Sequence, residues 1–182
     1  MAVALCTARA TELLGQKPER IKALLSANIL KNAMGVGIPG TGMIGLPIAI
    51  SLGALIGKSE YQLEVIKDLT PESLEEGKQY VAENHIDIKL KSGISEKLYV
   101  EITCEAGENK ATAIISKTHT NFVYEEMNGK VLLNKQVEAG DGASEDNDDI
   151  QLNLKLVWDF ATTTPINEID FILEAKRYNM NA

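Results

Sequence analysis

Apolar residues recur at helical spacing near both ends of this chain and with a period of two through its middle. Ala2 to Leu14 carries Ala, Val and Leu on one helical face, with Gly15 as the stop. Ile21 to Ala27 suits a short strand, and Ile29 to Met34 a helical turn. Met43 to Leu55, closed by Gly57, is apolar nearly all round and predicts a deeply buried helix. Thr70-Pro71-Glu72 opens another, with a capping hydroxyl, a first-turn proline and an acid at the positive dipole end, running to about Asn84.

The period then changes. Ile86, Ile88 and Leu90 alternate with Asp87, Lys89 and Lys91, and Leu98, Val100, Ile102 and Cys104 alternate with polar neighbours. That is the pattern of half-buried antiparallel strands. Ala111 to Thr118 continues it, and Phe122 to Met127 and Lys130 to Gln136 flank the hairpin dipeptide Asn128-Gly129. Ile150 to Phe160 is amphipathic, and Thr164-Pro165 predicts a last helix to about Tyr178. The expected fold is a single α+β domain over residues 1–182, with helices around an antiparallel sheet of about five strands within residues 86–136.

Composition narrows the partners. With 18 basic and 26 acidic residues the net charge is −8, which repels phosphate backbones and anionic lipid. Residues 138–149 read as an acidic mobile loop whose spacing does not match a helix-loop-helix calcium site. Cys6 and Cys104 are too far apart for a disulfide framework or metal-ligand spacing and read as packed core residues. No apolar run is long enough to span a bilayer, and no secretory signal precedes the first helix. A cytoplasmic protein is expected, with neither nucleic acid nor membrane as partner.

The most unusual segment runs from Asn28 to Pro47, with five glycines and two prolines between Gly35 and Pro47 set among apolar residues. Such a turn lets a ligand or another chain approach the backbone closely. Gly40-Thr41-Gly42-Met43-Ile44-Gly45 is also a G-x-G-x-x-G, followed by a helix, the strand-like Tyr61 to Ile66, and Asp68. A dinucleotide site is therefore one alternative. Against it, Gly35, Gly37 and Pro39 make a poor central strand, and no βαβ alternation follows.

The run from Asn28 to Met43, its continuation Leu46-Pro47-Ile48-Ala49, Leu63 to Asp68, and Thr118-His119-Thr120-Asn121 resemble the L-cysteine desulfidases and their uncharacterised relatives, akin to the iron–sulfur L-serine dehydratases. The resemblance covers nearly the whole chain. It implies an α,β-elimination on L-cysteine or L-serine, giving pyruvate, ammonia and sulfide or water, with a 4Fe–4S cluster as Lewis acid in the full-length enzyme. It also implies a chain more than twice as long. The cluster cysteines would lie in a C-terminal half, supplied in the same chain or in trans, and a Gly-Cys-Thr-Glu-Pro stretch would precede Ala2. On this reading the chain is the N-terminal part of a lyase, inactive alone, with no cluster bound to it and with self-association through an uncovered apolar face. A non-catalytic amino-acid-binding module is the other alternative.

No catalytic or metal-binding residue is assigned within the chain. The candidates for substrate binding are Asn28, Lys31 and Asn32 just upstream of the turn, and Gly40, Thr41 and Gly42 within it. His119, Thr120 and Asn121 join them at a strand end. The glycine turn would present N–H groups to a substrate carboxylate or to the cluster-bearing half, and His119 would bind a carboxylate or relay a proton. His85 reads as structural, while Glu64, Asp68 and Asp159 read as surface charges.

Overall fold

The computed structural model describes residues 1–83, 85–135 and 153–180. The chain divides into two compact units, residues 1–140 and 141–182. The acidic stretch 138–149 and the start of the amphipathic segment at 150–152 lie outside the described residues.

The first unit is α+β, as the patterning predicts. Its helices are α1 (Ala2–Leu14), α2 (Ala27–Ala33), α3 (Leu46–Leu55) and α4 (Pro71–Ala82). Its sheet strands are β1 (Arg20–Leu25), β4 (Ile86–Leu90), β5 (Tyr99–Ala106), β6 (Asn109–Ser116), β7 (Phe122–Met127) and β8 (Lys130–Asn134). They pair in the order β4-β1-β5-β6-β7-β8. All five strands expected between residues 86 and 136 are present, and the short segment after Glu19 adds a sixth. β1 lies between β5, antiparallel to it, and β4, to which it is parallel. Asn128 and Gly129 take φ values of 51° and 80°, as a tight β7–β8 turn requires.

One face of the sheet carries Ile21, Ala23, Leu25, Val100, Ile102, Cys104, Ala111, Ala113 and Ile115, all at or below 1% exposure. α1 packs on that face, α3 packs on α1, and α4 packs on α3. α1 is therefore buried almost all round rather than along one stripe, because Ala, Cys and Thr are small enough to sit between two layers. The second face keeps the polar alternates: Thr103 and Thr112 bond each other across β5 and β6 at 3.1 Å, and Tyr99 and Lys91 both donate to Glu101 at 2.7 Å.

Three expectations need correcting. The helix predicted from Met43 begins at Leu46, because Met43–Ile44 (β3) pairs antiparallel with Gly37–Ile38 (β2) and Gly45 turns the chain at φ 95°. The strand-like Tyr61 to Ile66 is a 3-10 turn over Ser59–Glu64, kinked at Gln62. The alternation there finds no strand to pair with, and Val65 and Ile66 enter the helical core instead. In the second unit, α5 spans Leu154–Thr163, capped by the Asn153 side chain accepting from Leu156 N at 3.0 Å. Pro165 opens only a 3-10 turn over Ile166–Glu168, and α6 runs Phe171–Met180.

Candidate functional site

The glycine segment folds as a small hairpin, β2 and β3 joined through Pro39 to Gly42. Gly40 and Gly42 have φ values of 75° and 63°, a region costly for side chains, and a Cβ on Gly40 would sit 3.1 Å from Leu69 Cδ2. Thr41 is buried at the centre. Its hydroxyl donates to Ile38 O at 2.7 Å and accepts from Met43 N at 2.9 Å. That hydroxyl is engaged in holding the turn, and Thr41 lines neither cavity described below. The glycines thus close an antiparallel hairpin before α3. The parallel strand that a dinucleotide turn must follow is absent from this position.

Two cavities flank the hairpin. The larger, about 610 Å³, lies between Gly40 and the start of α4 and is mainly apolar, with Glu64, Lys67 and Thr70 at its wall. The smaller, about 200 Å³, is more informative chemically. Met1, Ala2 and Val3 reach it from the start of α1, and Gly45, Leu46 and Ala49 from the start of α3. Asn32 enters from α2 and His119 from the β6–β7 turn.

Both helix starts lack a capping side chain and carry no acidic residue in the first turn. Their first N–H groups have no intrahelical partner and bear the positive end of the helix dipole. No carboxylate lines the cavity. Two uncapped helix N-termini, an amide side chain and an imidazole border one small space whose remaining wall, Ile29, Ala33, Val36 and Ile38, is apolar. Donors of this kind are what a carboxylate-sized anion requires.

The supporting contacts are local. Asn32 Nδ2 donates to Asn28 Oδ1 at 3.3 Å, one helical turn away, so Asn28 contacts Asn32 and does not itself line the cavity. His119 sits exposed in a turn held by Ser116 N donating to Asn121 O at 3.1 Å and Asn121 Nδ2 donating to Ser116 O at 3.0 Å. Asn121 therefore positions the turn. Thr120 is exposed beside it, Lys31 is exposed on α2, and neither lines either cavity. Of the predicted candidates, the fold brings Asn32 and His119 together and leaves Gly40 at the other cavity. Sequence reasoning missed the starts of α1 and α3. Gly45-Leu46-Pro47, a glycine followed by a proline in the first turn, was the available signal of a helix start without a side-chain cap.

Other ionisable groups serve the fold. His85 bonds the Glu19 carbonyl at 2.7 Å and the Glu83 carboxylate at 2.8 Å, and stacks on Tyr80. Asp68 is paired with Lys58 at 2.7 Å, and that ammonium holds its carboxyl below the usual range. Cys6 Sγ donates to Ala113 O at 3.3 Å, and Cys104 Sγ lies 3.7 Å from the Thr11 hydroxyl. Burial pushes both thiols up, Cys104 to about 12. Only the thiolate ligates metal or attacks an electrophile, and both thiols are kept protonated by burial in the layer between α1 and the sheet, Cys6 reaching sheet carbonyls and Cys104 an α1 hydroxyl. They do not fit an iron–sulfur cluster, which needs several convergent thiolates. Iodoacetamide is therefore expected to leave both cysteines unmodified in the native chain and to label both in denaturant. Rapid labelling of either native thiol would contradict their burial.

Among the described residues, no group of three or more His, Cys, Asp or Glu side chains is gathered where a metal ion could sit. No described helix is long and apolar enough to cross a membrane.

The chain is similar to proteins named UPF0597 protein. It is 65% identical over 182 residues to one from Phocaeicola vulgatus, and 64% identical over 182 residues to one from Bacteroides fragilis. In both cases the match covers 100% of this chain and 42% of the relative. One from Oleidesulfovibrio alaskensis is 41% identical over 180 residues, covering 98% of this chain and 41% of the relative. The chain thus spans about two-fifths of the length of the curated relatives it matches. No family model matches the chain, and no solved structure matches it.

Proposed function

We propose that this chain forms the carboxylate-holding side of an iron–sulfur amino-acid lyase that eliminates across Cα and Cβ of L-cysteine or L-serine. The observation that carries the reading is the smaller cavity, where the starts of α1 and α3 converge with Asn32 and His119 and no acid intrudes. The resemblance of Asn28 to Ala49 to the desulfidases and dehydratases supplies the reaction class. The relatives' greater length leaves room for the residues this chain lacks.

An α,β-elimination needs the Cα–H bond held in one orientation toward its base. Fixing the α-carboxylate between two helix starts achieves this at little entropic cost during reaction. Asn32 and His119 add side-chain hydrogen bonds to the same group. The two buried cysteines do not fit a cluster, so no step is assigned to this chain beyond binding and orienting the amino acid.

The test is an NMR titration of the chain with L-serine and L-cysteine, and with ethanolamine and cysteamine, which lack only the carboxylate. The amino acids should shift the amides of residues 2–4 and of Leu46, Ile48 and Ala49, and the His119 ring; the amines should not. His119→Ala and Asn32→Ala should each weaken binding about two- to tenfold, the span of one hydrogen bond. Equal shifts with the amines, or shifts confined elsewhere, would overturn the reading. The chain alone should release no pyruvate from L-cysteine, and pyruvate formed with no other protein present would refute the assignment of binding only.

A further inference from the structure

α5 is a ten-residue helix whose apolar residues fall at helical spacing. Leu154, Val157, Trp158 and Ala161 occupy i, i+3, i+4 and i+7 and so share one face. Phe160 and Leu156 extend the apolar arc beyond Val157, and Thr162, Lys155, Asp159 and Thr163 form the polar remainder of the helix. That apolar face is bare: Leu154 is 89% exposed, Val157 53% and Trp158 70%, and Ala161 is exposed as well.

A helix only ten residues long draws little stability from its own hydrogen bonds and needs its apolar side packed. Here the capping bond from Asn153 and the hydroxyl bonds of Thr162 to Trp158 O (2.8 Å) and Thr163 to Asp159 O (2.6 Å) are made. The helix is capped, while its hydrophobic side is left uncovered by the other described residues of its own unit. Spacing of this kind is the pattern of a helix that lies in an apolar groove.

We infer that the Leu154–Val157–Trp158–Ala161 face of α5 docks into a groove formed by the further length of chain that the relatives carry. The match covers 42% of each of the first relatives, so more than half of each has no counterpart here. That further chain is covalently present at high effective concentration, so it outcompetes a second copy for the same face. The inference rests on the length of the relatives and the exposure of α5, and it stands independently of the lyase reading.

Trp158 is the sole tryptophan of the chain and reports on this face directly. Hydroxyl-radical footprinting read by mass spectrometry should find Trp158 oxidised fast in the 182-residue chain. It should be oxidised at least fivefold more slowly in a hybrid where this chain replaces the matching segment of the Phocaeicola vulgatus relative. If the hybrid is insoluble, the intact relative is footprinted over its segment matching 154–163, which should be protected. Trp158→Glu should leave the melting temperature of the isolated chain unchanged and lower that of the hybrid. Equal oxidation in chain and hybrid would overturn the inference. So would protection already complete in the dilute isolated chain, or protection that grows with its concentration, which would assign the face to a second copy. Footprinting needs no turnover, so failure of amino-acid binding leaves its outcome unaffected.

Discussion

Gly53→Ala is expected to lower the melting temperature of the chain steeply, although replacing a helical glycine by alanine ordinarily stabilises by about 1 kcal/mol. Gly53 lies inside α3, where that gain should apply in full. A Cβ there would sit 2.5 Å from Ala4 O and 3.0 Å from Ala4 Cα. Both are backbone atoms of α1, so no side chain can swing away. Four residues on, a Cβ at Gly57 would meet Ala8 Cβ at 2.7 Å. Small residues at i and i+4 on each partner let the two helices approach this closely. α1 cannot retreat from an added methyl, because its other side is packed on the sheet. Overpacking of a filled core costs about 1–3 kcal/mol and occasionally more. The upper end applies here, which for a chain of this size is roughly 6–12 °C in melting temperature. Thermal unfolding followed by circular dichroism checks this; a melting temperature equal to or above that of the parent chain would show that α1 and α3 do not cross as described.

Arg9→Leu is expected to cost about 3 kcal/mol, and Arg9→Leu combined with Glu125→Leu markedly less. Arg9 Nε and Nη2 each donate to one oxygen of Glu125 at 2.8 Å, joining α1 to β7. The Glu125 side chain is only 9% exposed, while that of Arg9 is 35% exposed. Removing the guanidinium strands a buried carboxylate, and losing one partner of such a pair costs about 3–5 kcal/mol. The low end is taken because the exposed side of Arg9 lets water reach the orphan. Replacing both partners removes the uncompensated charge and leaves an apolar contact in its place. The guanidinium itself stays charged over the working range, since Glu125 raises its pKa further above an already high value. Denaturant midpoints of the parent and the two variants decide the matter. A double variant less stable than Arg9→Leu would mean that the pair contributes more than the burial of its carboxylate costs.

Much of the fold was legible without coordinates. The alternation from Ile86 to Asn134 reports strands because one sheet face is packed and the other is not, which is what a period of two records. Gly15 and Thr70-Pro71 mark helix ends through local backbone chemistry. Gly15 takes φ 74° as a C-cap, and Thr70 and Ser73 close a reciprocal capping box. Asn128-Gly129 specifies a turn for the same reason. The glycine run was recognisable as a constrained turn, Asn32 as a polar residue just upstream of it, and His119 as the histidine of a family-like stretch at a strand end.

Other features depend on partners distant in the chain. Nothing in Arg20–Leu25 says that it pairs parallel with β4, because a short apolar run offers two edges to any neighbour. Tyr61 to Ile66 alternates like a strand and became a 3-10 turn for want of a neighbour. The smaller cavity is the clearest case. Asn32 and His119 are 87 positions apart, and the bare N–H groups of α1 and α3 are invisible in a list of side chains. What this sequence settles is therefore local: where helices and strands start, stop and turn, because caps, glycines and residue spacing act within a few positions. Which strand neighbours which, that α1 is enclosed on both sides, and that two helix starts share one small space were decided by long-range packing, in which each surface takes the complementary surface the whole chain offers it.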